Sequence, residues 1–330
     1  MARRARDYDE DDVRVRPSRR GSRPRTRIRP AHEDAVEGFV VAVDRGRYRC
    51  LVEDRTVTAM RARELGRKGV VVGDRVALVG DVSGRPDSLA RIVRVEPRGS
   101  TLRRTADDTD PFERIIVANA DQLAIVTALA DPEPRPRLID RQLVAAYDAG
   151  MHPLLVLTKA DLADPDALLA EYASLGVPAF VTQRGGDLAG LRDLLRGQIT
   201  VLVGHSGVGK STLVNALVPD AERAVSHVNA VTGRGRHTSS SALALELPDG
   251  DGWIIDTPGV RSFGLAHVKP ENVINAFEDL AEGAAERCPP HCDHLQSECG
   301  LDAWVADGHA SQGRLDSLRR LLRSREGEAD

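Results

Sequence analysis

Gly204-His205-Ser206-Gly207-Val208-Gly209-Lys210-Ser211 decides how the rest of this chain is read. An apolar run, Ile199 to Val203, leads into it, and Thr212-Leu213-Val214-Asn215-Ala216-Leu217 comes next with the character of a helix start. The stretch fits G-x-x-x-x-G-K-[ST] between a strand and a helix, the setting in which that pattern cradles a polyphosphate. Glycines let successive backbone N–H groups turn inward, and the helix N-terminus adds partial positive charge. Residues Gly204, His205, Ser206, Gly207, Val208, Gly209, Lys210, Ser211 and Thr212 are therefore expected to hold nucleotide. The Lys210 ammonium falls on the β and γ phosphates and the Ser211 hydroxyl on Mg²⁺.

Three further motifs complete a nucleotide site around this loop. Asp256-Thr257-Pro258-Gly259 closes the apolar strand Trp253-Ile254-Ile255, forty-five residues past Ser211. A carboxylate at a strand's C-terminal end is placed to organise Mg²⁺, and the Gly259 N–H to meet the γ-phosphate. Thr158-Lys159-Ala160-Asp161 closes the strand Leu154 to Leu157 and is similar to the guanine motif N-K-x-D, with Thr158 in place of Asn. The Asp161 carboxylate can accept bonds from guanine N1–H and the 2-amino group, neither of which adenine offers, and Lys159 can cover the base. This points to GTP; an ATPase is the alternative that the Thr158 substitution leaves open. Gly233-Arg234-Gly235-Arg236-His237-Thr238 lies between the two phosphate motifs. There Thr238 is a second hydroxyl for Mg²⁺ in a segment ordered by the γ-phosphate. Where a water-orienting Gln often succeeds D-x-x-G, this chain has Val260. That role is left to His237 or to a group supplied in trans by a partner.

The order of these motifs is unusual. The base-reading motif precedes the phosphate loop, so the domain is circularly permuted, which nearby surface termini make tolerable. The chain leaves this domain soon after Asp256-Thr257-Pro258-Gly259, which tethers the C-terminal segment to the part that senses the γ-phosphate. That segment carries Cys288-x3-Cys292-x-His294-x4-Cys299, three thiolates and an imidazole suited to one structural Zn²⁺, with His291 a competing fourth ligand. Beyond it, Leu315, Leu318, Leu321 and Leu322 recur at helical spacing among Arg314, Arg319, Arg320, Arg323 and Arg325. Such a basic amphipathic helix either packs onto the zinc segment or contacts phosphate backbone.

Upstream of the phosphate loop, apolar strands and helical stretches alternate from Gln122 onward, the pattern of a mainly parallel sheet covered on both faces. Between Val36 and Val95 there are instead five short β-rich runs: Gly38–Val43, Tyr48–Val52, Thr56–Met60, Arg75–Val79 and Ala90–Val95. These fit a small OB-type barrel. Only Phe39 and Tyr48 offer aromatic rings for base stacking, and an SH3-like barrel that merely packs is the alternative. The resulting division is an arm over 1–34, a barrel over 35–97, a polar linker over 98–114, a permuted P-loop GTPase domain over 115–265 and a helical zinc-binding domain over 266–330.

Composition agrees with this. Of 330 residues, 41% are hydrophobic and 3% aromatic, enough for aliphatic cores. No run reaches membrane-span length and no apolar leader opens the chain, so a cytoplasmic location and no membrane partner are expected. Cysteines clustered in a reducing compartment favour metal over disulfides. Net charge is −4, yet residues 1–30 hold eleven arginines against five acids. Such an arm suits a polyanion partner, or serves as a disordered solubilising tail.

Taken together these residues resemble the ribosome small subunit-dependent GTPase A family (RsgA, also called YjeQ). Ile116-Val117-Ala118-Asn119-Ala120-Asp121-Gln122, Gly207-Val208-Gly209-Lys210-Ser211, Gly235-Arg236-His237-Thr238 and Asp256-Thr257-Pro258-Gly259 carry the resemblance, which extends over nearly everything after residue 35. It implies a monomeric factor that binds the small ribosomal subunit and its rRNA. It implies GTP hydrolysis during late assembly, stimulated by the subunit, with release as GDP forms. His237 corresponds to the family's proposed catalytic histidine. Thr158, His205, the short first cysteine spacing and the Arg-rich arm depart from the family pattern. A general RNA-binding switch, whose hydrolysis is incidental, is the rival function.

Overall fold

The structure is a computed structural model and describes residues 32–44, 46–65, 69–104, 114–219, 221, 242–257, 265, 268–296 and 299–325. The Arg-rich arm, His237, Thr238 and Gly259 lie outside the described residues, apart from 32–34 of the arm.

Five strands form the N-terminal barrel: β1 (Val36–Asp44), β2 (Arg47–Val52), β3 (Arg55–Arg61), β4 (Arg75–Gly80) and β5 (Ala90–Val95). Strand β1 pairs with both β2 and β4, β3 runs parallel to β5, and β5 pairs with β4, so the sheet closes on itself. Closure removes the exposed edges that short strands would otherwise present. Alternation sends Tyr48, Cys50 and Val52 inward from β2, while Val40, Val57, Val76, Leu78 and Ile92 fill the rest of the interior.

The stretch read as a polar linker is not one throughout. β6 (Thr101–Arg104) pairs antiparallel with β7 (Arg114–Ala118), burying Leu102 and Val117. Leu102 is the one apolar residue of β6, too little to signal a strand by alternation, yet enough to anchor one beside the apolar β7.

The central sheet places β10 (Ala179–Val181), β9 (His152–Thr158), β8 (Gln122–Ala128), β11 (Gln198–Val203) and β13 (Gly252–Asp256) side by side and parallel, with β12 (Leu243–Glu246) antiparallel beyond β13. One face is covered by α1 (Pro136–Asp148) and α2 (Asp166–Tyr172), the other by α3 (Ala189–Leu195) and α4 (Lys210–Leu217). Burial on both faces explains why β8 is apolar almost without alternation.

The barrel and this sheet are continuous: Ala42 of β1 pairs with Leu243 of β12, and the rings of Phe39 and Trp253 meet at 5.2 Å between centroids. A polar clamp reinforces the junction. Asn119 donates through Nδ2 to the Gly73 carbonyl at 2.9 Å and accepts from the Gly99 N–H at 2.8 Å. Gly73 sits at φ +90°, and a Cβ there would lie 1.9 Å from the Ala118 carbonyl oxygen, so only glycine permits this approach. The buried Asp74 beside it is held by two Arg98 bonds, at 2.7 and 2.8 Å.

After residue 268 come α5 (Pro270–Ile274), α6 (Glu278–Arg287), α7 (Gly300–Ala306) and α8 (Gln312–Arg325). Leu315, Leu318, Leu321 and Leu322 of α8 are fully buried in the same core as Leu143 and Val144 of α1. Among the described residues no helix is long and apolar enough to cross a membrane.

Candidate functional site

Parallel strands deliver their C-terminal ends to one edge of the sheet, where open α/β sheets bind ligands. Thr158 ends β9, Val203 ends β11 just before the phosphate loop, and Asp256 ends β13 in register with Leu202. The topology thus gathers motifs lying a hundred residues apart in sequence.

A cleft of about 380 Å³ opens there. Thr158, Lys159 and Asp161 line one side, and Gly207, Gly209 and Thr212 the other. The base-reading stretch and the phosphate loop therefore share a single cavity despite their inverted order. Thr158 ties the two together directly, its Oγ1 donating to the Val208 carbonyl at 2.6 Å. Lys159 takes a left-handed backbone conformation and its Nζ donates to the carbonyl of Asp131, in the loop after β8.

The phosphate loop is built on glycine. Gly204, at φ +148°, has the Val126 carbonyl oxygen 2.2 Å from where a Cβ would stand, so no other residue fits against β8. Gly209, at φ +95°, caps the start of α4. Lys210 opens that helix and its ammonium donates to the Gly204 and His205 carbonyls, folding the side chain back over the loop. Burial pushes the Asp256 carboxyl up from its ordinary value, while the Lys210 charge and a bond from the Thr257 N–H oppose that rise. A carboxylate held near an ammonium at a strand end, with the exposed Ser211 and Thr212 hydroxyls close by in sequence, is the hard oxygen set that Mg²⁺ takes alongside phosphates. His205, whose carbonyl accepts from Lys210, also borders a small cavity with Leu138, Ile139 and Gln142 of α1.

Sequence reasoning missed part of the lining. Thr182, Gln183, Arg184, Gly185 and Gly186, which come after β10, wall the cleft beside Asp161. No motif marks them; the available signal was positional, a Gly-rich turn at the end of a third parallel strand.

The second site lies in the C-terminal helices. Cys288 comes directly after α6 and Cys299 caps α7, so two helix ends fix two ligands while the intervening loop supplies Cys292 and His294. One ligand atom from each of the four lies within 4.8 Å of the others. Cys288 Sγ is 3.6 Å from both Cys299 Sγ and His294 Nδ1, and Cys292 Sγ is 3.8 Å from Cys299 Sγ. A tetrahedron with metal–sulfur arms of about 2.3 Å has edges of about 3.8 Å, so the set fits a closed tetrahedral ion. His294 is buried within the cluster and His291 is exposed outside it, which decides between the two histidines. Burial pushes the Cys299 thiol up to about 12 and raises Cys288, so thiolates here would need a bound cation.

The arginines of α8 serve this architecture. Arg319 forks onto Asp302 at 2.9 and 2.8 Å and donates to the His294 carbonyl at 3.0 Å, strapping the ligand loop. Arg314 forks onto Asp279, and Arg320 reaches Asp140 at 3.1 Å. Of the two readings of this helix, packing accounts for these three. The barrel's aromatics are likewise committed: Tyr48 is buried inside it and Phe39 packs on Trp253, which leaves neither free to stack bases.

Comparison with known proteins agrees with this arrangement. A family model described as RsgA GTPase matches residues 95–266. A Pseudomonas syringae pv. tomato protein named small ribosomal subunit biogenesis GTPase RsgA is 40% identical over 264 residues, covering 77% of this chain and 75% of its own. A Pseudomonas aeruginosa protein of the same name is 39% identical, covering 77% and 76%. Among solved structures, YjeQ from Thermotoga maritima is similar with a TM-score of 0.63 at 26% identity, over 89% of this chain and 100% of that one. YloQ, described as a circularly permuted GTPase, shares the fold with a TM-score of 0.63 at 22% identity, over 92% and 99%.

Proposed function

This chain belongs to the RsgA GTPase family, and on that premise we propose that it hydrolyses GTP while bound to the small ribosomal subunit, late in that subunit's assembly. The observation that carries the reading is the shared cleft: Asp161 and the phosphate loop line one cavity. Beside it stand a closed barrel and a Cys₃His cluster, the flanking modules with which the factor grips rRNA. Hydrolysis stimulated by the subunit, with release afterwards, is the cycle this arrangement serves, in the cytoplasm and as a monomer.

Within the cleft, Asp161 and Lys159 take the guanine, and Gly204, Ser206, Gly207, Val208 and Gly209 present backbone to the phosphates. Lys210 leaves its loop carbonyls for the β and γ phosphates, an exchange of partners that needs no backbone movement. Ser211, Thr238 and Asp256 would hold Mg²⁺, which would supply neutralisation of phosphate charge. Gly259 offers its N–H to the γ-phosphate. His237, assisted by rRNA, orients the attacking water, because Val260 cannot. The Cys288, Cys292, His294 and Cys299 set holds one Zn²⁺ in a structural role, with no ligand position left open for chemistry.

The test is GTP turnover with and without purified small subunits. Stimulation of at least about tenfold is expected, well within what a catalytic group supplied in trans can give. Turnover indifferent to small subunits would remove the ribosomal reading and leave a self-sufficient GTPase.

A further inference from the structure

Where the guanine motif ordinarily presents an amide, this chain presents a hydroxyl, and a hydroxyl has one proton to give. Thr158 donates that proton to the Val208 carbonyl at 2.6 Å. Its other close polar neighbour, the Thr127 carbonyl at 3.3 Å, is also an acceptor. Rotating the hydroxyl therefore exchanges one carbonyl for another and presents no donor to a ligand. Guanine N7 is an acceptor and must be met by a donor if it is to be read. An amide has two N–H groups and can serve loop and base together; the buried Thr158 cannot. Donors of the base-reading turn and its neighbours are engaged: Lys159 Nζ with the Asp131 carbonyl, Thr182 Oγ1 with the Gln183 carbonyl at 3.3 Å, and the Ala160 N–H with the Thr182 carbonyl at 3.1 Å; the Gln183 and Arg184 side chains also line the cleft.

We propose that the base-reading turn of this cleft leaves guanine N7 unread. Thr158 is a positioning residue that fixes the phosphate loop against the base-reading turn, and guanine selectivity falls on Asp161. The inference rests on the GTPase reading above and sharpens it. It also resolves what the missing Asn means: the substitution removes one contact to the base without opening the cleft to adenine, because N7 is common to both purines while N1–H and the 2-amino group are not.

The experiment is calorimetric titration of the full chain with GDP, 7-deazaguanosine diphosphate (C–H in place of N7), inosine diphosphate and ADP. One hydrogen bond is worth about fivefold in affinity, so GDP and its 7-deaza analogue should differ by less than about threefold. Inosine diphosphate, lacking the 2-amino group, and ADP should each bind at least about tenfold more weakly. Thr158→Val should weaken GDP and 7-deaza-GDP by a common factor, about tenfold, through the stranded Val208 carbonyl, and Thr158→Ser should restore most of it. A GDP preference of threefold or more over the 7-deaza analogue overturns the proposal and leaves the GTPase reading intact. So does a Thr158→Val change that weakens GDP alone. Failure of the wild-type chain to bind GDP at all overturns both.

Discussion

On the function proposed above, a single carboxylate, Asp161, decides which base is held. It lines the cleft at the mouth of the phosphate loop, and an amide in its place offers a donor to guanine's own donors. Asp161→Asn should weaken GDP by about a hundredfold while leaving thermal stability unchanged, since Asp161 is exposed. Titration calorimetry beside a melting curve checks this, and equal GDP affinity in the variant would take Asp161 out of base recognition. Asp140 shows how a residue outside the cleft answers to pH. It is 3% exposed on α1, facing Arg320 of α8 and Glu171 and Tyr172 of α2. Burial pushes its carboxyl from 3.8 up to about 6, with Glu171 adding to the rise and the Arg320 charge and Tyr172 hydroxyl opposing it. The folded chain therefore binds this proton more tightly than the unfolded chain. The stability it contributes is present below about pH 4 and is lost as pH rises through about 6. Relative to Asp140→Asn, the wild type should lose up to roughly 3 kcal/mol of unfolding free energy between pH 4 and 7. Urea unfolding of both proteins across that range measures it, and a constant difference would mean that the Arg320 pairing holds the carboxylate ionised throughout.

Helix α8 is where the sequence was most ambiguous and the structure most decisive. Its leucine spacing was legible as an amphipathic helix, but which way its arginines faced depends on acids brought from α1, α2, α6 and α7 by the fold. No local pattern links Arg314 to Asp279, thirty-five residues away, or Arg319 to Asp302. The phosphate loop's strand–loop–helix setting, by contrast, was readable because it is written in consecutive residues. The candidate metal cluster was readable because its four residues fall within twelve, and the convergence of His294, not His291, on the cysteines needed the folded chain. The turn after β10 went unread for the opposite reason, since its role comes from where the sheet ends and not from what it contains. For α8 itself, Leu318→Ala should cost about 2–5 kcal/mol in a denaturant melt, because the side chain is completely buried between α8 and α1. Stripping the metal with a chelator, or replacing Cys299 by Ser, should expose the ligand loop to proteolysis while GDP binding persists. The cleft's walls come from the β9, β10 and β11 ends and α4, and none of the four Cys and His residues lines it. Loss of GDP binding on chelation would show that the C-terminal helices hold the cleft together through α1.

Across the whole molecule, the central sheet does not stop at the edge of the nucleotide domain. Strand β12 pairs with β13, whose end carries Asp256, and on its other side with β1 of the barrel. The outward face of β1 sends Phe39, Val41 and Val43 against the GTPase core, while its inward face fills the barrel. One strand thus belongs to two cores, and a shift at the Asp256 end of β13 has a continuous packed route to the barrel surface. The Phe39–Trp253 contact is the largest apolar element of that route. Phe39 faces away from the barrel interior, so truncating it leaves the closed five-stranded core complete, and it touches none of the residues lining the nucleotide cleft. Phe39→Ala should therefore keep basal GTP turnover within about twofold and keep the barrel folded. It should reduce stimulation by small subunits about tenfold, the equivalent of about 1.4 kcal/mol of lost coupling. Turnover assays with and without subunits, run alongside circular dichroism, separate the cases. If basal and stimulated rates fall together, the contact supports the cleft itself. If stimulation survives untouched, the barrel anchors the factor without informing the site, and the coupling must run through the C-terminal helices packed on α1.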